Sequence, residues 1–194
     1  MNPELENGKV IIFSAPSGAG KTTIVQNLLT KELNLSFSVS ACTRAKRENE
    51  IDGKDYYFLT TEEFKNSISK DLFIEWEQVY ENQFYGTLKK EVDRIWEKNK
   101  HVIFDVDVKG GIALKKYFKE KALAIFIQPP SISELENRLL NRGSESKSSL
   151  KKRVEKAEYE LSFKESFDVT IVNDHLQQAC NNVENEIRIF LNQS

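Results

Sequence analysis

The segment Val10–Leu29, VIIFSAPSGAGKTTIVQNLL, limits what this chain can fold into more than any other stretch. Val10–Ser14 is a short, mostly apolar run of the kind that makes a buried strand, and Ile24, Val25, Leu28 and Leu29 recur at helical spacing after it. Strand, glycine-containing loop and helix in that order aim a helix N-terminus and its free N–H groups at a phosphate. Gly18 and Gly20 supply the flexible backbone, Lys21 a cation for the outer phosphates, and Thr22 a hydroxyl for Mg²⁺. The motif G-x-x-x-x-G-K-[ST] has its first glycine where this chain has Ala15. Pro16 pushes the preceding residue into extended φ/ψ, which alanine adopts freely, so position 15 needs no left-handed backbone.

The pattern of strand and helix repeats further on. His101–Asp107 (HVIFDVD) leads through Gly110 and Gly111 into Ile112–Phe118, Leu123–Ile127 is a third apolar run, and Asp168–Val172 (DVTIV) a fourth. Leu176, Cys180, Val183, Ile187 and Leu191 mark a long amphipathic C-terminal helix. Strands alternating with helices predict an α/β core, a parallel sheet covered on both faces. Residues 35–92 differ: LSFSVS, DYYFL and LFIEWEQV read as antiparallel strands, and Thr60-Thr61-Glu62-Glu63 offers a capping box. This predicts an inserted α+β lobe. The charged stretch Ser131–Ser166 reads as a helical flap, irregular around Asn141–Ser149. The expected organisation is a single domain with a core at 1–34, 93–130 and 167–194, a lobe at 35–92 and a lid at 131–166.

Charge excludes some partners. Lys and Arg total 28 against 30 Asp and Glu, so no global basic field proposes nucleic acid or an anionic membrane. The N-terminal residues are polar and Val10–Phe13 is too short for a secretory or spanning segment, so a cytoplasmic location is expected. Cys42 and Cys180 are far apart and not at metal spacing, consistent with buried free thiols in a reducing compartment. His101 and His175 have no partner at metal-ligand spacing, and no serine stands in a recognisable triad context.

Past the phosphate loop, several segments occur in one family's order and spacing: SFSVSACTRAKRENEIDGKDYYF, FIEWEQVYENQFYG, DVDVKG and RLLNRG. Over roughly Lys9 to Ile189 the chain resembles the guanylate kinases. The resemblance implies a P-loop NTPase-type core, a GMP-binding lobe, and Mg²⁺-assisted transfer of a phosphoryl group from ATP to GMP. It makes Glu75 and Asp107 the readers of the guanine N1–H and 2-amino donors, with hydroxyls from Ser40 and Thr87. The carboxylates suit guanine chemically, because adenine lacks those donors and would leave them unpaired. The resemblance further implies that Arg44, Arg47, Tyr56 and Tyr85 hold the GMP phosphate.

On the donor side, the resemblance gives the ATP phosphates to the loop Ala15, Pro16, Ser17, Gly18, Ala19, Gly20, Lys21, Thr22 and Thr23. Mg²⁺ falls to Thr22 and, through water, to Asp105; Arg138, Arg142 and Arg153 become lid arginines, and Asn173 lies near the adenine. Lys21, Arg44, Arg142 and Arg153 are the expected catalytic cations, since phosphoryl transfer depends mostly on positioning and charge neutralisation. Asp105 and Asp107, two apart on a predicted strand, should share a face. Lys109 and Asn49 depart from the family pattern, which commonly has glutamine and glycine there. Two rivals compete with this reading: a non-catalytic phosphopeptide-binding module of related fold, and a kinase with a different phosphorylated acceptor. The intact Lys21 and Thr22 argue against the first, and paired Glu75 and Asp107 against the second.

Overall fold

A computed structural model describes residues 8–141 and 147–193, with side chains from 150 onward in the second segment. Chain order gives β1 (Val10–Ser14), α1 (Lys21–Leu29), β2 (Leu35–Phe37), β3 (Ala41–Cys42), β4 (Tyr57–Phe58), α2 (Thr61–Ser69), β5 (Phe73–Tyr80) and β6 (Gln83–Leu88). It continues with α3 (Lys89–Trp96), β7 (His101–Asp105), α4 (Val108–Phe118), β8 (Ala122–Gln128), α5 (Ile132–Asn141), α6 (Lys147–Leu161), β9 (Val169–Val172) and α7 (Leu176–Asn192).

Five strands form a parallel sheet in the order β2-β7-β1-β8-β9. Because side chains alternate across a strand, each strand feeds two cores. Ile11, Phe13, Ile103, Ile125 and Ile127 point to one face, where α1 brings Ile24, Val25 and Leu28 and α7 brings Ala179, Val183 and Ile187. Val10, Ile12, Val102, Phe104, Ala124 and Phe126 point to the other, against Val92, Ile95 and Trp96 of α3 and Leu114 and Phe118 of α4. Strand β1 is therefore buried along its entire length.

The second sheet, β4-β3-β6-β5, is mixed: β5 and β3 run antiparallel to β6, while β3 and β4 are parallel. Two sequence expectations change here. The segment LSFSVS does not form one lobe strand; Leu35–Phe37 joins the core sheet beside β7, and the chain crosses to the lobe through Ser38–Ser40 before β3 begins. Leu35 packs against the core cluster, which explains why this stretch stays with the core. DYYFL yields only the short β4, paired parallel rather than antiparallel. The predicted capping box is present, with the Thr60 hydroxyl accepting from the Glu63 N–H and the Glu63 carboxylate accepting from the Thr60 N–H. A separate core of Ala41, Phe64, Phe73, Phe84 and Leu88 holds the lobe together. The flap helices α5 and α6 have their own small core of Leu135, Leu139, Leu150 and Ala157.

Phe64 is fully buried and stacks on Phe73 and Phe84 at ring separations of 4.3 and 5.5 Å. Phe64→Ala should destabilise the protein by about 3–5 kcal/mol, read as a lowered urea midpoint; a midpoint equal to that of the parent chain would contradict this account of the lobe core.

Candidate active site

The C-terminal ends of β1 and β7 open onto a cleft of about 450 Å³ whose far wall is the lobe sheet. One side is the loop between β1 and α1, contributing Ala15, Pro16, Ser17, Gly18, Gly20, Lys21, Thr22 and Thr23; the other is Ser40, Tyr56, Glu75 and Tyr85, with Asp105 and Asp107 between them. Fourteen of the residues singled out in the sequence thus face one space.

The loop's backbone explains its composition. Gly18 and Gly20 adopt φ of 96° and 91°, in the region that side chains avoid, whereas Ala15 is not among the left-handed residues. Alanine in place of the missing glycine therefore carries no backbone strain, and its methyl joins the core cluster beneath the loop. Gly20 has a second constraint. A Cβ built there would meet Asn173 Nδ2 at 2.3 Å, and that amide donates to the Ala19 carbonyl at 2.7 Å. Asn173 and Ala19 are both buried, so the amide braces the loop from beneath rather than lining the cleft.

Lys21 bridges Asp105 at 2.5 Å and donates to the Val106 carbonyl at 2.5 Å, and the Ser14 hydroxyl donates to the same carbonyl at 3.1 Å. The loop lysine is thereby anchored to the end of β7. The strand itself stops at Asp105, not at Asp107 as the sequence suggested, because the Asp107 carboxylate accepts from the Gly110 N–H at 2.8 Å and caps α4. Both carboxylates still line the cleft, brought there by a strand end and a helix cap instead of one strand face.

Across the cleft, the Thr87 hydroxyl donates to Glu75 Oε1 at 2.7 Å. Thr87 is fully buried and reaches the cleft only through Glu75. Burial pushes the Glu75 carboxyl above its ordinary range and the nearby Asp107 charge adds to this, against the opposing Thr87 hydrogen bond. Arg44 lies just outside the lining. Its guanidinium makes a two-armed pair with Glu50 at 2.7 and 2.5 Å and sits 4.8 Å from the centre of the Tyr56 ring, which faces the cleft. That pairing holds Glu50 down at about 2. Arg47 is exposed; its backbone N–H donates to Glu50 at 2.8 Å, and the turn closes without a left-handed residue at Asn49.

Among the flap residues, Arg138 pairs with Glu134 at 2.9 Å and donates to the Asn173 carbonyl at 3.1 Å, away from the cleft lining. Arg153 is half-buried on α6 and also lies outside the lining, and Arg142 falls outside the described residues.

Sequence reasoning missed Glu77, Val79 and Glu160, which also line the cleft. Glu160 is 7% exposed on α6, and burial pushes its carboxyl up. A signal existed: Glu160 falls three residues after the buried Ala157, on the inward face of its helix, where a charge is out of pattern. Lys109 bridges Glu77 at 2.9 Å. Five carboxylates line the cleft, from Glu75, Glu77, Asp105, Asp107 and Glu160, against the cation of Lys21. Thr22 and Asp105 offer a hydroxyl and a carboxylate oxygen, the hard donors Mg²⁺ takes. Among the described residues no group of three or more His, Cys, Asp and Glu could hold a metal unaided.

The family model for guanylate kinase matches residues 7–189. The guanylate kinase of Bacteroides thetaiotaomicron is 51% identical over 185 residues, spanning 95% of this chain and 91% of that protein. The guanylate kinase of Porphyromonas gingivalis is 50% identical over 184 residues, spanning 94% and 98%. Among solved structures, the crystal structure of guanylate kinase from Anaplasma phagocytophilum superposes with a TM-score of 0.75 at 30% identity, covering 96% of this chain and 88% of that one. With a phosphate loop and a carboxylate-bearing lobe facing the same cleft, this chain belongs to the guanylate kinase family.

Proposed function

We propose that this cleft transfers the γ-phosphoryl group of ATP to GMP, and to dGMP, giving ADP and the nucleoside diphosphate. The observation that carries the division of roles is the placement of Glu75 across one cleft from the phosphate loop, with Asp107 between them. Carboxylates accept and cannot donate when ionised, so together they fit the N1–H and 2-amino donors of guanine. In this reading Ser40 serves the base and Tyr56 and Tyr85 the acceptor phosphate, with guanidinium donors from Arg44, which lies against the Tyr56 ring, and from Arg47 in the same turn.

The ATP phosphates lie along residues 15–23, with the N–H groups of the loop and Lys21 Nζ as donors. To reach them, Lys21 Nζ exchanges part of its contact with Asp105 and the Val106 carbonyl for phosphate oxygen. Thr22 and Asp105 would hold Mg²⁺, directly and through water, and the ion would supply charge neutralisation to the transferring phosphoryl group. The acceptor phosphate attacks in line, so no covalent enzyme intermediate is required. Arg138, Arg142 and Arg153 belong to the flap that closes over the phosphates; closure excludes water, the competing acceptor. Asn173 serves the donor site by bracing Ala19. Five carboxylates line the cleft against the one cation of Lys21, so the substrate phosphates would draw further positive charge from Mg²⁺ and from arginines outside the lining. No helix among the described residues is long and apolar enough to cross a membrane, and a cytoplasmic enzyme of purine nucleotide metabolism accords with that.

Purified protein with ATP and Mg²⁺ should form GDP from GMP far faster than ADP from AMP, UDP from UMP or CDP from CMP in a coupled assay; equal rates across the four acceptors would refute the reading. Glu75→Gln combined with Asp107→Asn should collapse a GMP-over-AMP preference that such a site can set on the order of 10⁴. Retention of the full preference would remove these residues from the base pocket. Acidification should weaken GMP binding beginning above the ordinary carboxylate range, because Glu75 takes up its proton early. The stability effect has the opposite sign: the folded state binds this proton more readily than the unfolded chain, so the Glu75 contribution to stability rises as pH falls through that window. A GMP KM that is flat with pH in the parent chain, or that retains the same profile in Glu75→Gln, would contradict the assignment.

A further inference from the structure

We infer that Glu91, which makes no contact with the cleft, is a positioning residue for the acceptor nucleotide: it fixes the crossing from core to lobe that carries Ser40, and the strand that follows Tyr56. This inference rests on the reading of the lobe as the GMP site. Glu91 sits in the first turn of α3, whose neighbours Val92, Ile95 and Trp96 are embedded in the main core. Its side chain is fully buried yet carries a carboxylate held below the ordinary range; burial opposes that, but Arg94, the Val39 N–H and the Tyr57 hydroxyl outweigh it. Four hydrogen bonds end on its two oxygens: Val39 N–H at 2.9 Å, Tyr57 OH at 2.9 Å, and Arg94 Nε and Nη2 at 2.9 and 2.7 Å.

The partners define the role. Val39 lies in the three-residue crossing between β2 of the core sheet and β3 of the lobe sheet. The next residue, Ser40, lines the cleft, and its carbonyl accepts from the Tyr57 N–H at 2.9 Å. Tyr57 in turn follows Tyr56, which also lines the cleft and stands against Arg44. One carboxylate thus ties a core helix to both chain segments that present the acceptor-side groups. A residue serving only the helix terminus could act from the surface, where a glutamate at this position normally reaches back to the first free N–H groups. Taking the charge out of water is costly unless its partners are all in place. Here they are two lobe-side donors and an arginine, so the arrangement is consistent only when core, crossing and lobe hold their relative positions.

The test is steady-state kinetics on the full chain with Glu91→Gln and Tyr57→Phe, together with thermal unfolding to set an assay temperature at which each variant is folded. Glutamine keeps one acceptor but its amide nitrogen cannot accept from Tyr57 or Arg94. Glu91→Gln should raise the GMP KM about tenfold while the ATP KM stays within about twofold, and Tyr57→Phe should raise the GMP KM about threefold, again alone. A purely structural role would lower kcat with the folded fraction and move neither KM selectively. An unchanged GMP KM in Glu91→Gln, or a parallel rise in both KM values, would overturn the proposal. If Glu91→Gln does not fold, Tyr57→Phe decides by the same criterion. Glu75→Gln, measured alongside, separates the two levels: if it raises the GMP KM and the Glu91 and Tyr57 variants do not, only the positioning role fails. If Glu75→Gln leaves GMP binding and selectivity unmoved, the lobe reading falls and the role of Glu91 with it.

Discussion

A strand buried on both faces can communicate with solvent only through its ends, and β1 is such a strand from Val10 to Ser14. Its carboxyl end turns within a few residues into a helix that covers the sheet, and at two points in the turn a side chain would meet Leu139 or Asn173. Gly18 and Gly20 in left-handed conformations, with Ala19 buried between them, are the result. Because parallel neighbours point the same way, β7 delivers Asp105 to the same edge, where it meets Lys21. Catalytic geometry at this edge is a by-product of packing the middle of the sheet.

The lobe solves a different problem with a different core. Its aromatic cluster around Phe64 is independent of the two main clusters, and the sheet it stabilises faces the phosphate loop across open space. Two such units need connections that are few and stiff. Val39 held by the buried Glu91 and Lys109 joined to Glu77 are two such connections, one fully buried and one exposed. The exposed one contributes little by itself. Lys109 nonetheless places a cation beside Glu77, one of the carboxylates that line the cleft.

Much of this was legible in the chain. Apolar runs and helical spacing located the core strands and helices, and Pro16 alone was enough to explain Ala15. The boundary errors share a cause. LSFSVS was read as one alternating strand, but alternation cannot tell which sheet a strand joins; that depended on Leu35 finding the main core. Asp107 was placed in a strand because its neighbours are apolar, whereas its hydrogen bond to the Gly110 N–H makes it a helix cap. The resemblance gives Thr87 to the guanine and Asn173 to the neighbourhood of the adenine; the structure adds that the Thr87 hydroxyl holds Glu75 and that the Asn173 amide braces Ala19. In each case residue type and place were readable while the partner, a matter of long-range packing, was not. Glu91 illustrates the same limit, since a glutamate in a helix is ordinarily solvated and only the tertiary fold buries this one.

The Arg44–Glu50 pair has a consequence for what can enter the acceptor side. The guanidinium fork is already matched by a carboxylate, braced against Tyr56, and with Glu50 ionised down to about pH 2 the match persists across physiological conditions. An incoming group thus competes with an internal anion, not with water. A sugar hydroxyl or a neutral base edge lacks the charge to win that exchange, whereas a phosphate monoester dianion exceeds the single charge of Glu50. At the proposed acceptor site the turn would therefore act as a charge threshold, favouring a phosphate over a neutral sugar or base edge.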